Sequence, residues 1–207
     1  MSVGRKAACS VVLASALAAC TFEAPVSAVP TLYDFGPPPA YSRSNPAIPG
    51  TILVAPVRAP AWLDDTGIVY RLLYEDAART QTYAMSRWAA DPASLLTDRL
   101  RSRVAAMAGS VVAPTFGARS DYTLRVELED FSQHFQAPSQ SRVVLRARAT
   151  LLASEGRTVL AQRAFEVERP AQPSAPGAVK ALAESADAFT EELVKWTAAN
   201  AKEGAKR

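Results

Sequence analysis

Few residues of this sequence could support catalysis, because it contains a single histidine, His134, in the run Phe131-Ser132-Gln133-His134-Phe135. One histidine without a cysteine partner cannot form a usual zinc site, and a Ser/His/Asp triad would have to use this residue. The sequence holds no GxSxG, no HExxH and no phosphate-binding glycine-rich loop. We therefore predict no enzyme activity, cofactor or metal, and expect His134 to be exposed at a strand end. A hydrolase acting through His134 is the weakest alternative.

Two groups of acids could be taken for acid/base or metal chemistry: Asp64 with Asp65, and Glu127 with Glu129 and Asp130. Residues two apart on a strand point to the same side, so Glu127 and Glu129 share a face with Arg125. We favour a solvated face with its own counter-charge over a catalytic pair.

Arginines and aromatic residues could bind a lipid or a partner. The arginines of the second half are Arg142, Arg146, Arg148, Arg157 and Arg163, and four aromatics lie close together at Trp62, Tyr70, Tyr83 and Trp88. Strand alternation turns Arg146 and Arg148 outward whatever the function. Grouped aromatics belong to a core more often than to a cavity, and the sequence leaves both readings open. As contact residues for a partner or lipid we name Trp62, Tyr70, Trp88, Arg146 and Arg148.

The N-terminus has the features of an export signal. Arg5 and Lys6 precede an uncharged apolar run at residues 7–19, which is shorter than the about 20 residues of a membrane-spanning helix. Leu17-Ala18-Ala19-Cys20 then resembles the lipobox of bacterial lipoproteins, where the cysteine sulfur receives a diacylglycerol before cleavage. We predict a signal peptide at residues 1–19 and lipidation of Cys20. An ordinary secretory signal with an incidental cysteine is the alternative.

Lipidation also accounts for the cysteines, because Cys9 leaves with the signal and Cys20 becomes a thioether. No disulfide framework remains. Stable anchoring takes more than one acyl chain, and a lipidated cysteine carrying two or three chains meets that requirement. Thr21 stands where Asp usually indicates retention in the inner membrane, so we expect the outer membrane, on its periplasmic side.

The composition is that of one folded domain behind a tether. The hydrophobic fraction is 49%, and the net charge of +3, which falls by two when the signal leaves, does not indicate a nucleic-acid partner. Seven of the 15 prolines lie between Pro25 and Pro49. We predict an extended tether at residues 20–50 with an edge strand at 31–35, a single globular domain at 51–200 and a frayed C-terminus at 201–207.

The first half of the predicted domain contains three strands and a helix. The β-branched run at residues 51–57 predicts a buried strand. The run Trp62-Leu63-Asp64-Asp65 predicts a turn, and residues 67–71 and 80–84 predict the two strands of a hairpin. Asp91 before Pro92 predicts a helix N-cap, and Gly109 the end of that helix. Its apolar positions are Leu95, Leu96, Leu100, Val104 and Met107.

The second half predicts an antiparallel meander and a closing helix. The apolar faces of its strands are Tyr122, Leu124, Val126 and Leu128, then Val143, Leu145, Ala147, Ala149 and Leu151, then Val159, Ala161, Phe165 and Val167. A helix from about Pro176 has an apolar stripe of Val179, Leu182, Ala186, Phe189, Leu193 and Trp196. We predict an α/β (α+β) fold, a two-layer sandwich of a mainly antiparallel sheet with two amphipathic helices on one face.

These features together resemble the ABC-type transport auxiliary lipoproteins, which include the PqiC-like components of MCE lipid-transport systems. The residues that carry the resemblance are Cys20, Tyr33, the run Ile52-Leu53-Val54-Ala55-Pro56-Val57, Trp62-Leu63-Asp64, Ile68-Val69-Tyr70-Arg71, Arg87-Trp88-Ala89, Leu96, Leu100, Ala181, Ala186 and Trp196. The family commonly has a tyrosine where Trp62 stands. The matching residues look like determinants of the fold, so no ligand site is carried over with them.

The resemblance implies a non-enzymatic envelope subunit that works beside an MCE substrate-binding protein, a permease and an ATPase that move phospholipid between membranes. The protein would meet the membrane through its lipid anchor, and a homo-oligomer would suit a component on a transport path. Two other functions stay open: a carrier that holds lipid or another apolar ligand between sheet and helices, and a structural lipoprotein of envelope or secretion-system assembly.

Overall fold

The computed structural model describes residues 28–40, 48–112, 119–153 and 157–204, so the predicted signal peptide and Cys20 lie outside the described residues. The elements in chain order are β1 (Thr31–Tyr33), β2 (Ile48–Val54), a 3₁₀ helix (Ala61–Leu63), β3 (Gly67–Leu72), β4 (Gln81–Trp88), α1 (Pro92–Ala105), β5 (Ala108–Val112), β6 (Tyr122–Ala137), β7 (Gln140–Ala153), β8 (Thr158–Ala171) and α2 (Ala175–Gly204).

The eight described strands form one open sheet in which β6 has three neighbours. On one side, β6 runs antiparallel to β7, and β7 runs antiparallel to β8, which confirms the predicted meander. On the other side, the start of β6 is parallel to β2 and its end is parallel to β3. The hairpin of β3 and β4 is confirmed, and β1 lies parallel to β4 as the predicted edge strand.

A register shift in β6 decides which side chains enter the core. Leu128 pairs with Ala147 and faces the helices, but the next paired residue is Asp130, opposite Arg146. The extra residue, Glu129, reverses the alternation, so that Phe131 and not Asp130 continues the apolar face. Leu128 and Phe131 are both buried in the core.

Helix α1 begins as predicted and ends earlier than predicted. Asp91 accepts a hydrogen bond from the Ser94 amide at 2.8 Å, and Pro92 occupies the first turn. The helix ends at Ala105, and Gly109 lies inside the unpredicted strand β5, so the prediction that Gly109 ends the helix is wrong. The physical reason is the sheet: the Met107 carbonyl accepts a hydrogen bond from the Ile48 amide at 3.0 Å and draws the chain alongside β2.

Helix α2 packs on the face of β7 and β8 that carries the apolar residues. Phe165 of β8 lies 5.5 Å from the Phe189 ring and 5.9 Å from the Trp196 ring. α1 packs beside α2 in the same layer, which confirms the predicted α/β sandwich. Phe35 and Ile48 belong to the same core, and α2 continues to Gly204.

The predicted apolar face of β8 is wrong at one position. Val159 is 60% exposed, because a register shift pairs it with Leu152 while Ala161 pairs with Leu151. The shift turns Val159 away from the helices. Among the described residues, no helix combines the length and the apolar character needed to cross a membrane.

Candidate functional site

His134 is buried and does not lie exposed at a strand end, so that prediction is wrong. The ring is held inside β6 by two neighbours on the sheet face that points away from the helices. Ser132 Oγ donates a hydrogen bond to Asp130 Oδ1 at 2.5 Å and lies 3.1 Å from His134 Nε2, which is also 3.4 Å from Asp130 Oδ2. The register shift at Glu129 turns Asp130, Ser132 and His134 together to the face that points away from the helices.

This Ser/His/Asp group lacks the order that nucleophilic catalysis needs. In a catalytic triad the aspartate holds Nδ1, and Nε2 accepts the serine proton. Here the one hydrogen of the Ser132 hydroxyl goes to Asp130 and not to His134 Nε2, which lies 3.1 Å from the same oxygen. The serine proton is committed to a carboxylate and not to a ring nitrogen. The geometry indicates that this hydrogen-bonded group has a structural role and stabilises the sheet.

We expect Ser132→Ala to lower the free energy of unfolding by about 1–3 kcal/mol, because it leaves buried Asp130 and His134 without a shared partner. Urea unfolding measures the loss, and Ser102→Ala at an exposed position of α1 is the matched control. Envelope function should survive at a permissive temperature. Abolished function with unchanged stability would point to catalysis instead.

Two of the three acidic residues of β6 form the predicted solvated face, whereas Asp130 is buried. Glu127 and Glu129 are exposed together with Arg125, and Glu129 accepts a hydrogen bond from Arg148 Nε at 3.1 Å. Asp65 accepts a hydrogen bond from the Gly67 amide in a tight turn. In the described parts of the chain, no three His, Cys, Asp or Glu side chains are grouped to hold a metal ion.

Most of the arginines named from the sequence are neutralised by glutamates. On the outer face, by which we mean the face of β6, β7 and β8 opposite α2, the ion pairs are Arg142 with Glu168 at 3.2 Å, Arg146 with Glu166 at 2.8 Å and Arg148 with Glu129 at 2.9 Å. Arg163 does not share this face. It points to the helix layer and pairs with Glu192 of α2. The outer face therefore carries a row of ion pairs and not a basic patch. We call Arg142, Arg146 and Arg148 with their glutamates the arginine ladder.

The aromatic residues named from the sequence separate into a buried group and a half-buried group. Trp88 is 1% exposed and packs against Phe35 at 5.6 Å and Phe131 at 5.8 Å between ring centroids. Trp62 is half-buried beneath the Arg71 guanidinium, which lies 4.9 Å from its ring. The Tyr70 and Tyr83 rings are tilted against each other, with their centroids 4.8 Å apart. The three half-buried residues, Trp62, Tyr70 and Tyr83, keep some accessible surface.

The Tyr83 hydroxyl begins a buried polar chain near the start of α2. It donates to Gln133 Oε1 at 2.6 Å, and Gln133 Nε2 donates to Ser141 Oγ at 2.7 Å and to the Gln172 carbonyl at 2.8 Å. Burial, with a smaller contribution from Tyr70, raises the pKa of Tyr83 to about 12. The phenol therefore stays protonated and fixes the orientation of Gln133.

The raised pKa of Tyr83 predicts a loss of stability in alkali. An unfolded phenol ionises at its ordinary pKa of 10.0, so the contribution of Tyr83 is complete below that pH and is lost as the pH rises toward about 12. Unfolding by urea across this range should show a shallower decline for Tyr83→Phe than for the wild type. Tyr74→Phe, at an exposed position, should keep the wild-type slope, and equal slopes for both variants would contradict the assignment.

Two buried arginines of α1 hold the helices and the N-terminal segment together, and the sequence pattern did not reveal them. Arg99 donates to the carbonyls of Phe35 at 2.7 Å and Gly36 at 2.8 Å, and lies 3.3 Å from Asp187 of α2. Burial raises the pKa of Asp187, although Arg99 acts in the opposite direction. The only sequence signal was the position of Arg99 and Arg103 beside the apolar stripe of α1.

Arg103 makes the second link between the helices, through Nε to Glu191 Oε2 at 2.8 Å. Burial alone would raise the pKa of Glu191, but hydrogen bonds from Arg103 and Lys195 outweigh it and hold that pKa below the ordinary glutamate value. This carboxylate therefore contributes stability above the ordinary pKa, and the contribution is lost as the pH falls through the folded-state pKa.

Solved structures share this arrangement of sheet and helices. Protein XCC0632 from Xanthomonas campestris is 24% identical, with 86% of this chain and 100% of that chain covered at a TM-score of 0.72. An uncharacterized protein is 18% identical, with 81% and 97% covered at a TM-score of 0.60. At these identities the likeness shows the fold alone. No curated protein matches the sequence.

The family comparison defines the class of protein as a transport auxiliary lipoprotein, a family of non-enzymatic kind. The family model that matches residues 33–194 is described as ABC-type transport auxiliary lipoprotein component. Because the match spans most of the chain, the protein belongs to this family, and the resemblance drawn from the sequence is confirmed. Membership supports a membrane-anchored location in the envelope and association with an ABC transport system.

Proposed function

We propose that this protein is a non-catalytic auxiliary subunit of an ABC/MCE-type phospholipid transport system, anchored in the outer membrane and facing the periplasm. The observation that carries the proposal is the family match over residues 33–194. The MCE substrate-binding protein and the permease/ATPase complex are its proposed partners. The Ser132 and His134 geometry is consistent with this role, because neither side chain is placed as a nucleophile or base.

The proposed anchor is lipid on Cys20 after removal of residues 1–19. The proline-rich segment that follows can span up to ~3 Å per residue where it is extended. Within this segment Thr31–Tyr33 enter the sheet as β1, and Phe35 is buried directly after it. The protein would therefore carry one folded domain on a spacer, close enough to the bilayer to reach partners in the periplasm.

The proposed docking surface is the outer face with the neighbouring Trp62. Arg146 and Arg148 keep 45% and 44% of their side-chain surface exposed although both are paired. Trp62 keeps accessible surface beside this face, beneath Arg71. Tyr70 is in register with Gln133 on the opposite face, and Trp88 would act only through the core. Exposed paired charges steer and orient a partner more than they add affinity.

Affinity purification from detergent-solubilised envelope tests the proposal. The tagged protein should recover an MCE protein or a permease subunit, and Arg146→Glu with Arg148→Glu should reduce that recovery. Recovery of neither partner, under conditions that preserve other envelope complexes, would contradict the proposed function. Arg79→Glu, at an exposed ion pair on the β3–β4 connection, is the control for charge reversal.

A further inference from the structure

A surface cavity lies where the chain leaves β2 and continues alongside β6. Its volume is about 430 Å³, and the residues that line it are Ala55, Pro56, Arg58, Arg125, Val126 and Glu127. This volume is within the range of about 300–1,000 Å³ that small-molecule sites occupy. None of Asp130, Ser132 and His134 lines the cavity, and its Glu127 is the cross-strand neighbour of Arg148, at the edge of the arginine ladder.

The walls of the cavity are fixed by backbone hydrogen bonds. The Ala55 amide donates to the Leu124 carbonyl at 3.0 Å, the Arg58 amide donates to the Val126 carbonyl at 3.0 Å, and the Leu128 amide donates to the Arg58 carbonyl at 2.7 Å. Between these contacts the chain bulges away from β6, and the Val57 amide bonds to Thr97 Oγ1 of α1 at 2.9 Å. Arg58 is thereby held in register with Glu127 before any ligand binds.

The charges of the cavity differ from those of the three paired arginines of the outer face. Arg142, Arg146 and Arg148 each have a glutamate within ion-pair distance. Arg58 and Arg125 have none among the described residues, although Glu127 lies beside both in the register. Two guanidinium groups and one carboxylate thus border one cavity with their hydrogen-bonding groups available.

We propose that this cavity binds a phosphodiester headgroup that carries a hydrogen-bond donor, as in a phosphoethanolamine lipid. Guanidinium groups match phosphate oxygens in geometry and charge, so Arg58 and Arg125 would hold the phosphate. Glu127 would accept hydrogen bonds from the ammonium or hydroxyl group. This inference rests on the proposed function for the choice of a lipid as the source of the phosphate, and free phosphate is the competing source.

Isothermal titration of the purified full-length protein in detergent tests the site, with sn-glycero-3-phosphoethanolamine and inorganic phosphate as separate probes. The headgroup should bind more tightly than phosphate. Arg58→Gln with Arg125→Gln should weaken headgroup binding by about tenfold or more, because charge-assisted hydrogen bonds are lost. Glu127→Gln should reduce the preference for the headgroup over phosphate. Tighter binding of inorganic phosphate, or no binding of either probe, would overturn the proposal.

The control variant removes the same charge elsewhere, by Arg79→Gln with Arg157→Gln, and should bind as the wild type does. All four arginines are exposed, so thermal melting should show that every variant folds. Native mass spectrometry supplies a second readout: phospholipid that co-purifies with the wild type should be depleted in the Arg58 and Arg125 double variant. Equal lipid occupancy in both would overturn the assignment. Because neither measurement uses a transport partner, their failure is distinguishable from failure of partner recovery.

Discussion

Cys20→Ser is expected to release the protein from the membrane, leave its domain folded and abolish its function. Each buried methylene of an acyl chain contributes ~0.8 kcal/mol to membrane binding, so removal of two or three chains removes the proposed anchor. The described core begins beyond this position, at Phe35 and Ile48. Fractionation of envelope and soluble periplasm measures the release, and the thermal midpoint of the released protein measures folding.

Cys9→Ser is the matched control, because the same substitution then falls within the predicted signal peptide. It should leave the protein on the membrane and its function intact. Full complementation by the Cys20→Ser protein, found in the soluble fraction, would show that the anchor is dispensable. Retention of that variant on the membrane would instead show that another part of the chain binds there.

Arg99→Met is expected to lower the free energy of unfolding by about 3–5 kcal/mol, the range for breaking a buried ion pair. The Arg99 side chain is 5% exposed, and its loss leaves the carbonyls of Phe35 and Gly36 and the Asp187 carboxylate without their partner. Urea unfolding near neutral pH measures the change. Arg79→Met removes an exposed ion pair with Glu75 and should cost about 0–1 kcal/mol.

The loss in free energy of unfolding that Arg99→Met causes, which we call its deficit, should depend on pH. Without the guanidinium, the already raised pKa of Asp187 rises further, so the folded variant favours the protonated acid more than the unfolded chain does. An acid with a raised folded-state pKa costs stability as the pH increases above its ordinary value of 3.8. The deficit should therefore be smallest in acid and grow toward neutrality. A deficit equal to that of Arg79→Met at every pH would refute the structural role of Arg99.

The period of the apolar residues was sufficient to predict much of the fold. Alternation along β6 and β7 predicted which residues face the helices, and the Asp91-Pro92 pair predicted the start of α1. These features are local, because side-chain alternation and capping depend on neighbouring residues. The family resemblance followed from the order of such local motifs.

Features that depend on distant contacts could not be read from the sequence. The place of His134 on the face away from the helices follows from the register shift at Glu129, which is defined only against β7. Strand β5 exists because it pairs with β2, beginning at Ile48 and Ala108, whereas Gly109 in the sequence indicated the end of a helix. Arg99 and Arg58 look like ordinary exposed arginines in the sequence, since their roles come from Asp187 of α2 and Glu127 of β6.

The parallel pairing of β1 with β4 has a mechanical consequence for a tethered protein. Tension applied along β1 from its N-terminal side loads the contacts at Thr31, Leu32 and Tyr33 in shear, so they resist together instead of opening one after another. Arg99 donates hydrogen bonds to the chain directly after that strand, at the carbonyls of Phe35 and Gly36. A pull that arises when membrane and docked partner move apart would thus meet the three β1 contacts first and the Arg99 contacts to α1 behind them.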